Sequence, residues 1–230
     1  MLDAAIVTYE PSGGLSAAMG QQTLPFGVYG TNLVSDPLTK KLGETAHPSL
    51  VLGGEAAPFG WSLFTYYVDD EETIDGFGLG VGTAMEADDS AFGIDVAWIT
   101  NIGDSDGLSG MFDDDVGGLS ASARGSMGPV SAIVELVAAS GSGGSGAEPS
   151  AWHAEAAYSF DLIGREAALA VGAGGTSDAA ATELPETRML LGVSVGIADG
   201  IGLGIEWSQS EGYDAAGADD AITVLLAAEF

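Results

Sequence analysis

Large apolar residues alternate with glycine or small polar residues along most of this chain. Phe77-Gly-Leu-Gly-Val-Gly82, Leu191-Gly-Val-Ser-Val-Gly-Ile197 and Ile201-Gly-Leu-Gly-Ile-Glu-Trp207 all repeat with a period of two. Glycine inside each apolar run argues against helices, and the period itself argues for strands with one apolar face. The closing segment follows the same rule. Ile222, Val224, Leu226, Ala228 and Phe230 fall on one face, and Thr223, Leu225, Ala227 and Glu229 on the other. The pattern predicts about thirteen strands, on 2–9, 15–24, 48–56, 61–68, 74–86, 91–100, 119–127, 130–139, 151–160, 166–174, 187–197, 201–209 and 221–230. Most run for roughly ten residues, the length that crosses a bilayer at a tilt.

The connections add a second regularity. Short turns fall at Pro11-Ser-Gly-Gly14, Pro58-Phe-Gly60, Asp88-Asp-Ser90, Gly128-Pro129, Leu162-Ile-Gly-Arg165 and Asp199-Gly200. Between them lie longer acidic or Gly/Ser-rich loops, at 25–47, 69–73, 101–118, 140–150, 175–186 and 210–220. Short and long alternate throughout. A barrel in a bacterial outer membrane sorts its connections this way, with tight turns at the periplasmic rim and loops outside. The fold class expected is all-β: one antiparallel transmembrane β-barrel domain over 1–230. Bacterial single-chain barrels have even strand numbers. Thirteen strands therefore suggest that one or three amino-terminal strands of a 14- or 16-stranded parent precede this sequence; a miscounted strand is the alternative.

Composition agrees with a segregated chain. There are 34 acidic residues against 5 basic ones, a net charge of -29, yet 46% of residues are hydrophobic. Acidic loops and apolar strand faces reconcile the two. No basic patch is present to neutralise phosphates, so nucleic acid is not an expected partner. Cysteine is absent, which removes disulfides and thiolate metal sites. No uncharged apolar run is long enough for a transmembrane helix, and no signal peptide is visible after Met1. Trp61, Trp98, Trp152 and Trp207, with Tyr9, Tyr67, Tyr158 and Phe160, lie near strand ends, where interfacial aromatic girdles form.

The alternation nominates lumen-facing residues. Arg124, Glu135, His153, Glu155, Glu166 and Glu206 lie opposite the apolar sets. In hydrocarbon each would be costly, so a polar and cation-preferring lumen is their expected place. A structural network of carboxylates, arginine and water filling a narrow barrel is the alternative. The loop 25–47 is the longest, and such a loop can fold inward and narrow a pore. Asp36, Lys40, Lys41 and Glu44, with Arg188 on the wall, would then set selectivity by a local field. The alternative is a folded external loop built on ordinary turn chemistry. Asp104 to Asp115 contains hard oxygen ligands suited to calcium, but it lacks the EF-hand spacing, and a solvated acidic loop is the expectation. No metal or other cofactor is expected. Neither His47 nor His153 has a nucleophile elbow or phosphate loop beside it, so no enzyme is expected.

One stretch has a specific likeness. Pro25-Phe26-Gly27, Thr31-Asn32, Asp36-Pro37-Leu38-Thr39 and Leu42-Gly43-Glu44-Thr45 occur in order, followed later by Ser150-Ala-Trp-His-Ala-Glu-Ala-Ala-Tyr-Ser-Phe160 and Leu184-Pro-Glu-Thr-Arg188. These residues resemble the LbtU family of siderophore porins of Gram-negative bacteria, over nearly the whole chain. The resemblance implies an outer-membrane barrel that takes up ferric siderophore without TonB, and a longer amino terminus bearing earlier strands. The expected partners are outer-membrane lipid and lipopolysaccharide, ferric siderophore or another small solute, and a homo-oligomer. A non-specific porin and a non-transporting structural or adhesive barrel are the alternatives.

Overall fold

The structure is a computed structural model that describes residues 5–11, 13–68, 74, 76–144, 146–214 and 217–228. Its strands are β1 (Ala5–Tyr9), β2 (Leu15–Thr23), β3 (Ala46–Ala56), β4 (Phe59–Tyr66), β5 (Gly76–Ala87), β6 (Ser90–Ile99) and β7 (Gly118–Met127). They continue with β8 (Val130–Ala139), β9 (Ser150–Asp161), β10 (Glu166–Ser177), β11 (Thr187–Ala198), β12 (Ile201–Glu211) and β13 (Ala218–Ala228). All 13 pair antiparallel in sequence order. A meander of this kind needs only local connections. β1 and β13 are the two ends of the order and do not pair with each other among the described residues. The expected strand number is met, and short and long connections alternate as the sequence requires. The loop expected at 69–73 and the terminal Phe230 lie outside the described residues. No helix among the described residues is long and apolar enough to cross a membrane.

Strand pairing shows which way each face points. Leu52, Leu63, Leu79, Trp98 and Leu119 stand opposite one another across β3 to β7. Val130, Tyr158, Leu169, Val193, Ile205 and Val224 do the same across β8 to β13. These rows face outward, with Leu79 at 43% and Val224 at 62% exposed. A continuous aliphatic band of this size suits lipid, because water-facing surfaces rarely carry one. Outward aromatics sit toward both rims. Tyr9, Phe59, Phe92 and Tyr158 lie on the short-turn side, and Phe77, Trp98 and Trp152 on the loop side.

The inward face is built largely by omission. Gly76 and Gly78 face inward on β5, and a side-chain carbon there would come within 2.3 Å of the Tyr66 ring and 2.1 Å of the Phe64 ring. Alternating glycine therefore admits rings from the neighbouring strand.

The interior differs from the uniformly wet lumen that the sequence suggests. Toward the long-loop side, Phe64, Tyr66, Ile99 and Val137 point inward into a dry cluster with Leu24, Phe26, Leu38, Leu42, Ile102 and Leu108. Half of that cluster comes from two loops, 24–45 and 100–117, so a core forms inside the wall.

Outward and inward positions should respond oppositely to charge. Leu79→Arg places a cation in the lipid band, at a cost of about 2–4 kcal/mol if near the midplane. Ser62→Arg adds the same charge to an open inward position. Folding into lipid vesicles, followed by the mobility difference between heated and unheated samples, should show a marked loss for Leu79→Arg and little change for Ser62→Arg. Equal effects would contradict the assigned faces.

Candidate functional site: an inserted loop and the lumen it leaves

The segment between β2 and β3 does not extend away from the wall. It turns inward and touches strands far apart in the order, from β5 through β12. One segment reaches all of these only if the sheet curls around it. The loop carries one short helix, α1 (Leu38–Gly43), opened by Pro37 and closed at Glu44, whose amide donates to the Lys40 carbonyl oxygen at 2.9 Å. Leu38 and Leu42 lie on one helix face, four residues apart, and both are buried. The period-two reading missed this helix, although Pro37, the Leu38/Leu42 spacing and the flanking charges signal it.

Three buried carboxylates hold the loop. Glu135 Oε1 on β8 accepts from the consecutive amides of Val28, at 2.7 Å, and Tyr29, at 3.1 Å, while its Oε2 accepts from Thr39 Oγ1 at 2.6 Å. Glu155 Oε1 on β9 accepts from the Asn32 amide and side-chain Nδ2, both at 2.7 Å; its Oε2 accepts from Thr31 Oγ1 at 2.5 Å. His153 Nε2 lies 3.2 Å from the same Oε2. Glu206 Oε2 on β12 accepts from the amides of Val34, at 2.8 Å, and Ser35, at 3.1 Å. The three glutamates are 2%, 5% and 1% exposed. Carboxylates this dry are tolerable only with hydrogen-bond donors, and the loop's amides and side chains supply them to every oxygen but Glu206 Oε1, which is buried without a partner among the described residues.

Glycines on the wall complete the seat. A side chain at Gly172 or Gly192 would come within 2.7 Å or 2.9 Å of Leu33, and one at Gly204 within 2.8 Å of Val34. The loop 100–117 then locks over α1. Ser105 Oγ donates to the Leu42 carbonyl at 2.7 Å, and a side chain at Gly107 would come within 2.0 Å of the Lys41 carbonyl oxygen. Asn101 ties this second loop together, donating from Nδ2 to Asp104 and Asp115 and accepting from the Gly103 and Val116 amides.

Each candidate residue can now be placed. Glu135, His153, Glu155 and Glu206 face inward, but they meet the loop rather than open water. Arg188 also faces inward; its Nη1 approaches the Asp36 carbonyl oxygen at 3.5 Å. Lys40 bridges Asp36, at 3.0 Å, and Glu44, at 3.9 Å, within the loop itself. The hydrogen bond to Asp36 pushes the Lys40 ammonium up from its ordinary value, against the smaller opposing effect of burial. Lys41 is exposed beside it. Glu166 begins β10 opposite Asp161 and is exposed at the short-turn rim. Arg124 reaches across to Asp95 on β6. No group of three acidic or histidine side chains suited to a metal occurs among the described residues. Thr31, Asn32 and Thr39 were not singled out individually as site residues, although all three stand in the block that carries the family likeness.

Below the loop, on the short-turn side, the lumen stays open. A cavity of about 540 Å³ lies between Pro25–Val28 and the β3–β4 turn, walled by β4 to β7. Ser62, Ser120 and Ser122 line it with hydroxyls, Asp95 and Arg124 with an ion pair, and Glu55 adds a carboxylate at the turn.

The clamps should release independently. Hydrogen bonds to a charged group are worth about 1.5–3 kcal/mol each, so removing one carboxylate should speed exchange of its amides roughly tenfold or more. In hydrogen exchange on the folded protein, Glu206→Gln should accelerate Val34 and Ser35 and leave Val28 and Tyr29 protected. Glu135→Gln should do the reverse. Unchanged exchange in both variants would contradict the clamp.

No family model matches the chain. It is 27% identical over 220 residues to a UPF0422 protein of Coxiella burnetii, an alignment covering 85% of this chain and 47% of that protein. The chain thus spans about half the length of the curated relative it matches. Among solved structures, it is similar to the outer membrane channel DcaP of Acinetobacter baumannii, with a TM-score of 0.61, 14% identity, and coverage of 93% of this chain and 71% of that one. OprB of Pseudomonas putida gives 0.64 at 8% identity, covering 96% and 70%. OccK11 of Pseudomonas aeruginosa gives 0.57 at 12% identity, covering 97% and 68%. The fold is that of outer-membrane channel barrels. Taken with the outward aliphatic band, it places the chain in the bacterial outer membrane.

Proposed function

We propose that this chain forms a small-solute channel whose passage is narrowed by the 24–45 loop. The observation that carries this reading is the division of the lumen. One side is filled by a clamped loop, while β4 to β7 bound an open cavity beneath it that mixes apolar surface with hydroxyl and charged groups. A loop held by hydrogen bonds and apolar contacts, with no cross-link to the wall, can yield to a solute. The solute class suggested by the family resemblance is ferric siderophore, taken up without an energy-coupling partner.

Both histidines have structural partners. His153 is buried against Glu155, and His47 Nε2 lies 3.0 Å from the Asp104 carbonyl oxygen with its ring stacked on Tyr66. A second reading, a non-transporting anchor or adhesin, draws on the apolar cluster that closes the loop side of the lumen.

Planar-bilayer conductance and uptake into proteoliposomes separate the two readings. The transport reading expects small, discrete currents, a several-fold larger current when residues 26–43 are replaced by a short Gly-Ser linker, and faster uptake of ferric siderophore than of a size-matched sugar. Equal uptake of the two would leave a non-specific channel. No current from either protein, with folding verified, would establish the anchor instead.

A further inference from the structure

The cavity beneath the loop has a charge arrangement that the clamp does not use. Every buried glutamate is occupied by the loop, but Asp95 and Arg124 stand away from it, on adjacent strands β6 and β7. Both face inward, and their side chains are 34% and 40% exposed. They pair with each other and with no other charged group among the described residues. The wall beneath them is cut back to glycine. A side chain at Gly82 would come within 2.1 Å of an Asp95 carboxylate oxygen, and one at Gly93 within 3.1 Å of the Arg124 guanidinium. Glycine at these two positions lets the carboxylate and the guanidinium lie against the inner wall, with the other side of the pair turned to the cavity.

A second observation points the same way. Ser122 is directly opposite Asp95 in the strand register, and its hydroxyl is buried without a hydrogen-bond partner among the described residues. Ser62 and Ser120 add further hydroxyls to the same cavity. A volume near 540 Å³ falls within the range of small-molecule sites, about 300–1,000 Å³.

The chemistry of the pair discriminates among solutes. An anion drawn to Arg124 meets repulsion from Asp95, and a cation drawn to Asp95 meets Arg124. A neutral polyol cannot compete with the ion pair for either partner. A solute that carries both signs a few bonds apart can replace both halves of the contact at once. Its carboxylate fits the planar guanidinium fork, and its ammonium donates to the carboxylate. The free hydroxyl of Ser122 is then within the same cavity to orient the rest.

We propose that the Asp95–Arg124 pair is a binding site for small zwitterionic solutes of the α-amino-acid class on the passage through the lumen. The proposal rests on the channel reading but not on siderophore as the solute.

Osmotic swelling of proteoliposomes tests it, with L-glutamine and xylitol as zwitterionic and neutral solutes of similar size. The native protein should admit glutamine at least about fivefold faster, a difference of roughly 1 kcal/mol. Arg124→Gln and Asp95→Asn should each bring the ratio close to one. The charge-swapped double variant, Arg124→Asp with Asp95→Arg, should restore it, which a purely structural pair would not do. Swelling with equal rates for both solutes overturns this site and leaves the channel intact. A preference unmoved by either single variant also overturns it. No swelling with either solute, together with no current, overturns the channel reading and the site with it.

Discussion

A carboxylate deep inside a protein must be given hydrogen-bond donors or it will not remain there as an anion. Glu135, Glu155 and Glu206 are set on three strands of a wall whose outer face is turned to lipid. Their own strands offer no spare amides, because the ladder uses them all. The donors come from the one long segment within reach, whose consecutive amide pairs 28/29 and 34/35 straddle single carboxylate oxygens. The wall and the loop are therefore not independent parts. The wall creates a need for donors, and the loop backbone satisfies it at the cost of closing much of the lumen.

Glycine makes the same arrangement possible sterically. On β10, β11 and β12 it opens a seat for Leu33 and Val34, and on β5 it opens one for the rings of Phe64 and Tyr66. On β5 and β6 it also makes room for Asp95 and Arg124 to lie against the wall. The inward surface thus has two characters set by what fills the gaps. Where loop residues enter, the interior is dry; where nothing enters, a cavity with hydroxyl and charged groups remains. In the proposed channel, this division makes the passage narrow but not uniformly so.

Much of the wall was legible in the sequence. Strand number, antiparallel order and the sorting of short and long connections all follow from period-two patterning and turn residues. The inward direction of Glu135, Glu155 and Glu206 followed as well, since one slip of register would have placed them in lipid. What they meet there did not follow. The periodicity of a strand reports a face, not the partner opposite it, and Thr31 and Asn32 lie in a loop with no periodicity to read. The helix α1 was hidden for a related reason: at six residues it is too short for a helical period to emerge, and Leu38 and Leu42 read as loop hydrophobics. The inner apolar cluster was missed because half of it comes from two loops that are distant in sequence.

Insertion of the loop is the claim on which the narrowed passage depends. Because the chain has no cysteine, a single engineered pair can test it without background. Gly43 lies in α1, and a side-chain carbon placed there would be 2.8 Å from Val137 Cγ1 on the inner wall of β8. With Gly43→Cys and Val137→Cys together, mild oxidation of the folded protein should give near-complete cross-linking, read by mass spectrometry of the bridged peptides. Two free thiols, both labelled by a membrane-impermeant maleimide from the loop side, would show that the loop lies outside the lumen and would contradict the account.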